Sequence, residues 1–164
     1  MSADLVAAME DVLDLYAEPY DPQRPKVTCD ETSRQLLAEP RPPLPAQPGQ
    51  PTRSDYTYKR NGTRNVFVCC DPQAGWRQMT VTEHRTKVEF AHQMPWLVEE
   101  RYPQAQKIRV VLDNLNTHQP ASLYAAFAPE AARRLAKKLE FHYSFPKSFV
   151  PTAVHASTSP CGLR

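Results

Sequence analysis

The sequence predicts an α/β fold in which helices flank a mixed sheet. Residues 108–112, IRVVL, form a mostly β-branched apolar run without alternation, which is typical of a strand buried on both faces. Residues 66–70 form a second continuous apolar run, and residues 76–82 alternate between apolar and polar side chains, as a half-exposed strand does. Residues 86–101 have helical periodicity, so both kinds of element contribute to the fold.

The N-terminal part is predicted to hold one helix and one short strand. Residues 2–17 repeat apolar side chains at helical spacing, and we expect this stripe to be a packing face. A brief strand at residues 27–29 follows a proline-bounded turn and ends in Asp30 and Glu31. Residues 40–51 are rich in proline and have no apolar periodicity, so we expect a stiff surface loop; a ligand for an SH3-like domain is the alternative.

The central and C-terminal parts complete the predicted element order. Residues 54–70 are predicted to form two strands around a tight turn at Asn61-Gly62. The helix at residues 86–101 contains Pro95, which predicts a kink or an early stop. The remaining predicted elements are a strand ending at Asp113, helices over residues 120–127 and 129–138, and a short last strand at residues 139–143.

Composition limits the class of protein. A length of 164 residues with 41% hydrophobic residues is enough for one domain with a modest core. The net charge of +2 is too small to mark a nucleic-acid binder, so any DNA affinity must come from local patches. The four cysteines have no zinc spacing, and we expect buried, reduced thiols in a cytoplasmic protein. Neither a signal peptide nor a membrane-spanning run is predicted.

Two carboxylates, Asp30 and Asp113, stand at the ends of predicted strands that are far apart in sequence. They can converge if their strands lie side by side in one sheet, and a divalent cation is the usual reason to tolerate two like charges close together. Polar residues Asn114, Asn116, Thr117 and His118 follow Asp113 directly. The alternative is an ordinary strand-to-helix turn in which Asp and Asn serve turn chemistry.

Six segments resemble one known family. They are CDETSRQLL (29–37), YKRNGT (58–63), AGWR (74–77), TEHRTKVEFA (82–91), RVVLDNLNTH (109–118) and LEFHY (139–143). In this order they resemble the DDE-superfamily transposases of bacterial insertion sequences, in the mariner-related group. The resemblance implies an RNase H-like catalytic domain with a mixed five-stranded sheet in the order βββαβαβ.

The resemblance also implies a domain organisation. Residues 26–143 correspond to a partial catalytic domain that includes the proline-rich loop at 40–51. Residues 1–25 correspond to the linker helix and turn that, in this family, follow a helix-turn-helix DNA-binding region. We expect residues 144–164 to be an irregular tail, so that the final catalytic helix of the family is missing or degenerate.

The chemistry implied by the resemblance is metal-dependent DNA strand cleavage and strand transfer. The family uses three carboxylates to bind two divalent ions, usually Mg²⁺. Asp30 and Asp113 match the first two, so the resemblance makes them catalytic residues and ligands of Mg²⁺ or Mn²⁺. The implied partners are transposon-end and target DNA, with a homo-oligomer or a mixed oligomer with full-length transposase, and no membrane.

Seven cations are candidate DNA contacts, because basic residues with neighbouring aromatic rings suit phosphate contact and base stacking. Three lie near Tyr56 and Tyr58, and four lie on the predicted helix at 129–138: Lys59, Arg60, Arg64, Arg133, Arg134, Lys137 and Lys138. The alternatives are an ordinary charged hairpin end and a solvated helix face.

The third carboxylate of the family has no counterpart here, because residues 141–164 contain neither Asp nor Glu. His155 is a weak substitute in a tail rich in Pro, Ser and Thr, and Glu140 is expected to be structural. Glu31 adjoins Asp30 and would face the other side of an extended strand. We therefore expect a truncated, catalytically impaired copy, as a frameshift, deletion or rearrangement would leave it.

Two alternative functions remain at this point. One is a non-catalytic DNA-binding or inhibitory fragment that competes with full-length transposase. The other is an α/β hydrolase unrelated to DNA, for which the sequence marks no small-molecule pocket.

Overall fold

A mixed five-stranded sheet is the centre of the computed structural model, which describes residues 3–54 and 56–144. Its strands are β1 (Lys26–Ala38), β2 (Lys59–Asp71), β3 (Trp76–Thr82), β4 (Ile108–Leu112) and β5 (Leu139–Tyr143). They lie in the order β3-β2-β1-β4-β5. β1, β2 and β3 pair antiparallel, whereas β4 pairs parallel with β1 and with β5. The predicted sheet and element order are confirmed.

Four α-helices in the described residues flank the sheet: α1 (Ala3–Ala17), α2 (Lys87–Pro95), α3 (Pro120–Ala126) and α4 (Pro129–Lys138). Buried side chains of α2, α3 and α4 share one core with the sheet, as Phe90 does with Cys29. The other face of β1 meets α1, where the Tyr16 hydroxyl lies 2.6 Å from Thr28 Oγ1. β4 is therefore covered on both sides, and all five of its residues are buried.

The start and end of α2 follow from local side-chain chemistry. Thr86 is the N-cap: its hydroxyl accepts a hydrogen bond from Val88 N, and Glu89 Oε2 accepts one from Thr86 N at 3.1 Å. The early stop predicted at Pro95 is confirmed. The chain then continues as a π-helical segment, Trp96–Arg101, instead of leaving the helical path.

The hairpin predicted over residues 54–70 is wrong, because Asn61 and Gly62 lie inside β2. Gln35 pairs with Thr63, whereas Leu37 pairs with Arg60, so the register shifts between these pairs. Asn61 and Gly62 thus form a β-bulge opposite the strand β1. The φ of +89° at Gly62 is the left-handed geometry that glycine adopts without strain, which serves a bulge as well as a turn.

β1 is also longer than the predicted strand at residues 27–29. Its residues 32–37 are exposed, and they pair with β2 as a two-stranded ribbon. The proline-rich residues 40–51 form the expected surface loop between these strands. Within this connection, Leu44 bridges to Arg53 and Gln47 bridges to Gln50.

The apolar stripe of α1 packs less than predicted. Leu15 is the buried residue of this helix, whereas Met9, Leu13 and Tyr16 are 42%, 63% and 40% exposed. Leu15 is not part of the predicted stripe, which consists of Leu5, Val6, Met9, Val12, Leu13 and Tyr16. Within the stripe Leu5 and Val12 are half-buried and the other four side chains are exposed, so the prediction of a packing face is correct only in part. Among the described residues, none of the helices has the length and apolar character that crossing a bilayer requires.

Cys29 and Cys69 are buried, as predicted, but they are joined by a disulfide. The expectation of reduced thiols is wrong for this pair, because the antiparallel register of β1 and β2 sets the two residues directly opposite each other. Cys70 is a free thiol. Cys161 lies outside the described residues, as do residues 145–164 of the irregular tail predicted at 144–164.

Candidate functional site

Asp30 and Asp113 are brought to the same edge of the sheet by the parallel pairing of β1 and β4. Thr28 pairs with Val111, and the same register continued by two residues sets Asp30 beside Asp113. Partial burial raises the pKa of the Asp30 carboxyl, and the negative charges of Asp113 and Glu31 raise it further. A hydrogen bond from Glu31 N to Asp30 Oδ1, at 2.8 Å, acts against this rise.

A buried histidine connects Asp113 to Glu31. His118 Nδ1 lies 2.5 Å from Asp113 Oδ1, and His118 Nε2 lies 2.7 Å from Glu31 Oε2. The side chains of His118 and Glu31 are each 1% exposed, whereas that of Asp113 is 38% exposed. Arg85 Nε lies 3.8 Å from Glu31 Oε1. Positive and negative groups therefore alternate from Arg85 to the exposed carboxylate of Asp113.

The two carboxylates decide the charge of His118. Burial alone would lower the pKa of His118, but its contacts with Asp113 and Glu31 outweigh burial and raise the pKa to about 9. The imidazole is thus a cation at neutral pH, and both ring nitrogens are donors.

This charge predicts that stability depends on pH. The folded state favours protonated His118, so its contribution is complete below pH 6.5, the ordinary pKa, and is lost as pH rises through about 9. In the presence of a chelator, the free energy of unfolding should fall by roughly 3 kcal/mol across this window. Denaturant unfolding at a series of pH values measures it. His118→Gln should lack this slope, and an equal slope in both proteins would contradict the assignment.

The loop that carries His118 is fixed by further contacts. The Phe90 ring lies 4.7 Å from the imidazole, between ring centroids. His118 N donates to Leu115 O at 3.0 Å, and the Tyr143 hydroxyl donates to His118 O at 2.8 Å. The histidine is therefore held from its ring and from its backbone.

The donor set at this edge fits a single divalent cation. Asp113 Oδ2 receives no hydrogen bond from the described residues, and Asp30 is exposed. An open depression of about 230 Å³ lies beside Asp30, although Asp113 is not among the residues that line it. Mg²⁺ is commonly held by one or two carboxylates while it keeps several waters. In the part of the chain that the structure describes, no cluster of three or more His, Cys, Asp or Glu side chains forms a metal site.

The first group of predicted DNA contacts lies on the ribbon of β1 and β2. Lys59 and Arg60 stand near its tip, and Arg60 is eight residues before Val68, the partner of Asp30. That separation corresponds to roughly 26 Å of strand. Arg64 lies nearer to the sheet and donates to Glu83 Oε1 at 2.9 Å.

The second group lies at the opposite edge of the sheet. Lys138 directly precedes β5, which runs parallel to β4, so α4 ends where β4 begins, whereas Asp113 follows the end of β4. An open cleft of about 550 Å³ is lined there by the four cations of α4: Arg133, Arg134, Lys137 and Lys138. Arg134 also pairs with Glu99 at 2.5 Å. These cations are not brought together with Asp30 and Asp113.

Sequence reasoning missed the roles of Glu31 and His118. Glu31 does face away from Asp30, as expected from strand alternation, but its carboxylate is buried against His118. The available signal was the spacing of Asp113 and His118, five residues apart across a turn. Only the pairing of β1 with β4 shows that Glu31 completes the arrangement.

Comparison with known proteins gives a family match and a fold match. Residues 25–148 match the family model described as DDE superfamily endonuclease. The Mos1 mariner paired end complex with Mn is similar in structure, with a TM-score of 0.50 and 20% identity, over 85% of this chain and 41% of that chain. The Mos1 strand transfer complex has a TM-score of 0.50 and 19% identity, over 85% of this chain and 40% of that chain.

At these identities the Mos1 structures show the fold alone, which is the predicted RNase H-like one. The chain spans about two fifths of the length of the Mos1 chains that it matches. No curated protein sequence matches.

Proposed function

Because the chain belongs to the DDE superfamily endonuclease family, we propose that residues 26–143 are a transposase catalytic domain acting on DNA. The proposed reaction is metal-dependent strand cleavage followed by transfer to target DNA. The observation that carries the proposal is the parallel pairing of β1 with β4, whose register, continued by two residues, sets Asp30 beside Asp113. A bacterial insertion sequence as the source and the cytoplasm as the place of action are parts of the same proposal.

Asp30 and Asp113 would hold Mg²⁺ or Mn²⁺ in this domain. Such an ion, when bound, activates a water or a DNA 3′-hydroxyl and stabilises the leaving oxygen during attack on phosphate. The protein contributes orientation: His118 engages Asp113 Oδ1, and Oδ2 receives no hydrogen bond from the described residues. The Mn named for one similar Mos1 complex supports this choice of metal.

We propose that DNA lies along the ribbon of β1 and β2, with phosphates near Lys59, Arg60 and Arg64. This ribbon projects from the same edge of the sheet as Asp30. The cations of α4 lie at the other edge and would contact a separate stretch of DNA. Oligomers of this chain, or mixed oligomers with a full-length transposase, belong to the proposal because transposition joins two transposon ends to one target.

We further propose that the chain is catalytically impaired. The family reaction uses three carboxylates, and residues 141–164 contain no acid that could serve as the third. A two-metal phosphoryl transfer without one ligand should be slower by orders of magnitude. This favours a second candidate function, an inhibitory fragment that binds DNA without cutting it and competes with full-length transposase.

Nicking of supercoiled plasmid tests the proposed function. We expect DNA binding without detectable nicking in Mg²⁺ or Mn²⁺, because two acids hold one ion but do not complete the site. The comparison proteins are Asp30→Ala and Asp113→Ala. Nicking that disappears in both variants would contradict the impairment and support the site. Nicking that persists in both would contradict the site itself.

A further inference from the structure

We propose that His118 and Glu31 are positioning residues for Asp113, an inference that rests on the proposed role of Asp113 as a metal ligand. His118 binds one oxygen of the Asp113 carboxylate, so that the other oxygen faces the metal position. Glu31 holds His118 in that orientation from the far side. Neither His118 nor Glu31 is proposed to touch the metal or the DNA.

The first support is the contrast in burial between Asp113 and His118. Asp113 follows β4 at the start of a loop, and with a side chain 38% exposed it would be free to change rotamer. The His118 side chain, in contrast, is 1% exposed and packs against Phe90. A bond of 2.5 Å to this fixed ring limits the carboxylate to one orientation.

The second support is the burial of Glu31. A carboxylate removed from water is costly unless it is paired. Glu31 follows Asp30 on β1, so its side chain faces the other side of the strand, and it is 1% exposed. Its contact with His118 Nε2, at 2.7 Å, gives the buried charge a partner and fixes which way the imidazole points.

The third support is the way that metal sites are generally built. Groups that hydrogen-bond a metal ligand orient that ligand, and their loss typically lowers metal affinity 10–100-fold. Here Glu31 and His118 occupy that supporting position in series, with Arg85 at the outer end. Asp30 has no comparable support, since its contact from the described chain is the backbone N–H of Glu31.

Mn²⁺ titration followed by electron paramagnetic resonance tests the inference. His118→Leu removes both ring contacts and should lower Mn²⁺ affinity about 10–100-fold. His118→Asn places an amide N–H near the former Nδ1, so it should recover part of that loss. The Mn²⁺ affinity of Glu31→Gln should lie between those of the wild type and His118→Leu. Phe90→Leu is the control, because it alters packing around the ring without removing a contact to Asp113.

Two comparisons make the outcome decisive. If Asp113→Asn weakens Mn²⁺ binding but His118→Leu does not, the positioning role is wrong and the metal site stands. If Asp113→Asn leaves Mn²⁺ binding unchanged, the proposed metal site is wrong. Equal losses of Mn²⁺ affinity in His118→Leu, His118→Asn and Phe90→Leu would show that His118 has a merely structural role, and would overturn the inference.

A measurement without metal tests the positioning role of His118 separately from the role of Asp113 as a metal ligand. In a metal-free crystal structure of His118→Leu, the Asp113 carboxylate should adopt a different rotamer or several. In His118→Asn it should keep the wild-type orientation. An unchanged Asp113 rotamer in His118→Leu would overturn the positioning role whatever the metal affinity.

Discussion

Asp30→Asn and Asp113→Asn are each expected to lower the affinity for Mn²⁺ roughly 100-fold. Removing a group that only supports a metal ligand typically lowers metal affinity 10–100-fold, and we expect the loss of a ligand itself to reach the upper end of that range. Each substitution keeps the shape of the side chain but removes the negative charge that a hard cation requires. Asp30 lies on β1 and Asp113 directly follows β4, and the register of these parallel strands, continued by two residues, sets the two carboxylates side by side.

The control for this result is Glu130→Gln, which removes an exposed carboxylate from α4 at the opposite edge of the sheet. Its Mn²⁺ affinity should equal that of the wild type. Isothermal titration calorimetry or electron paramagnetic resonance measures all four proteins. A loss in only one of the Asp variants would contradict a site shared by both residues.

Arg109→Met is expected to lower the free energy of unfolding by about 3 kcal/mol, because it removes a buried, hydrogen-bonded charge from β4. Arg109 is 1% exposed, and its guanidinium donates to Arg24 O through Nε at 3.1 Å and Nη2 at 2.6 Å. Nη1 pairs with Glu18, just beyond α1. The substitution leaves the Arg24 carbonyl without these two donors and removes one of the contacts that hold the end of α1 to the sheet.

Glu18→Gln is the matched control. Glu18 is half-exposed, and the Arg109 guanidinium holds the pKa of its carboxyl below the usual range. Because water can replace this partner, its loss should cost clearly less than the loss of Arg109. Guanidinium chloride unfolding compares the three proteins. Equal destabilisation by both substitutions would mean that the ion pair, and not the carbonyl contacts, secures this part of β4.

Those parts of the fold that bury a regular pattern of side chains could be predicted from the sequence. The unalternating run of β4 indicated burial on both faces, and the alternation of residues 76–82 indicated a half-exposed strand. Both strands have the predicted bounds. The prolines at 120 and 129 begin α3 and α4, as expected for the first position of a helix.

Features that depend on pairing between distant segments were predicted less well. The polar residues 32–37 extend β1 because β2 supplies backbone partners, and their side chains carry no strand pattern. The same pairing turns Asn61-Gly62 into a bulge and brings Cys29 opposite Cys69. At the candidate site, the sequence marks Asp30 and Asp113 only as candidates. The contacts from Asp113 through His118 to Glu31 depend on how the strands pair in the sheet, which the sequence does not show.

The most direct test of the central claim is anomalous diffraction from a crystal of this chain soaked in Mn²⁺. We expect one anomalous peak between the carboxylates of Asp30 and Asp113, within coordination distance of Asp113 Oδ2, with waters completing the coordination. Anomalous peaks elsewhere on the protein, with none beside Asp30 and Asp113, would contradict the proposed site.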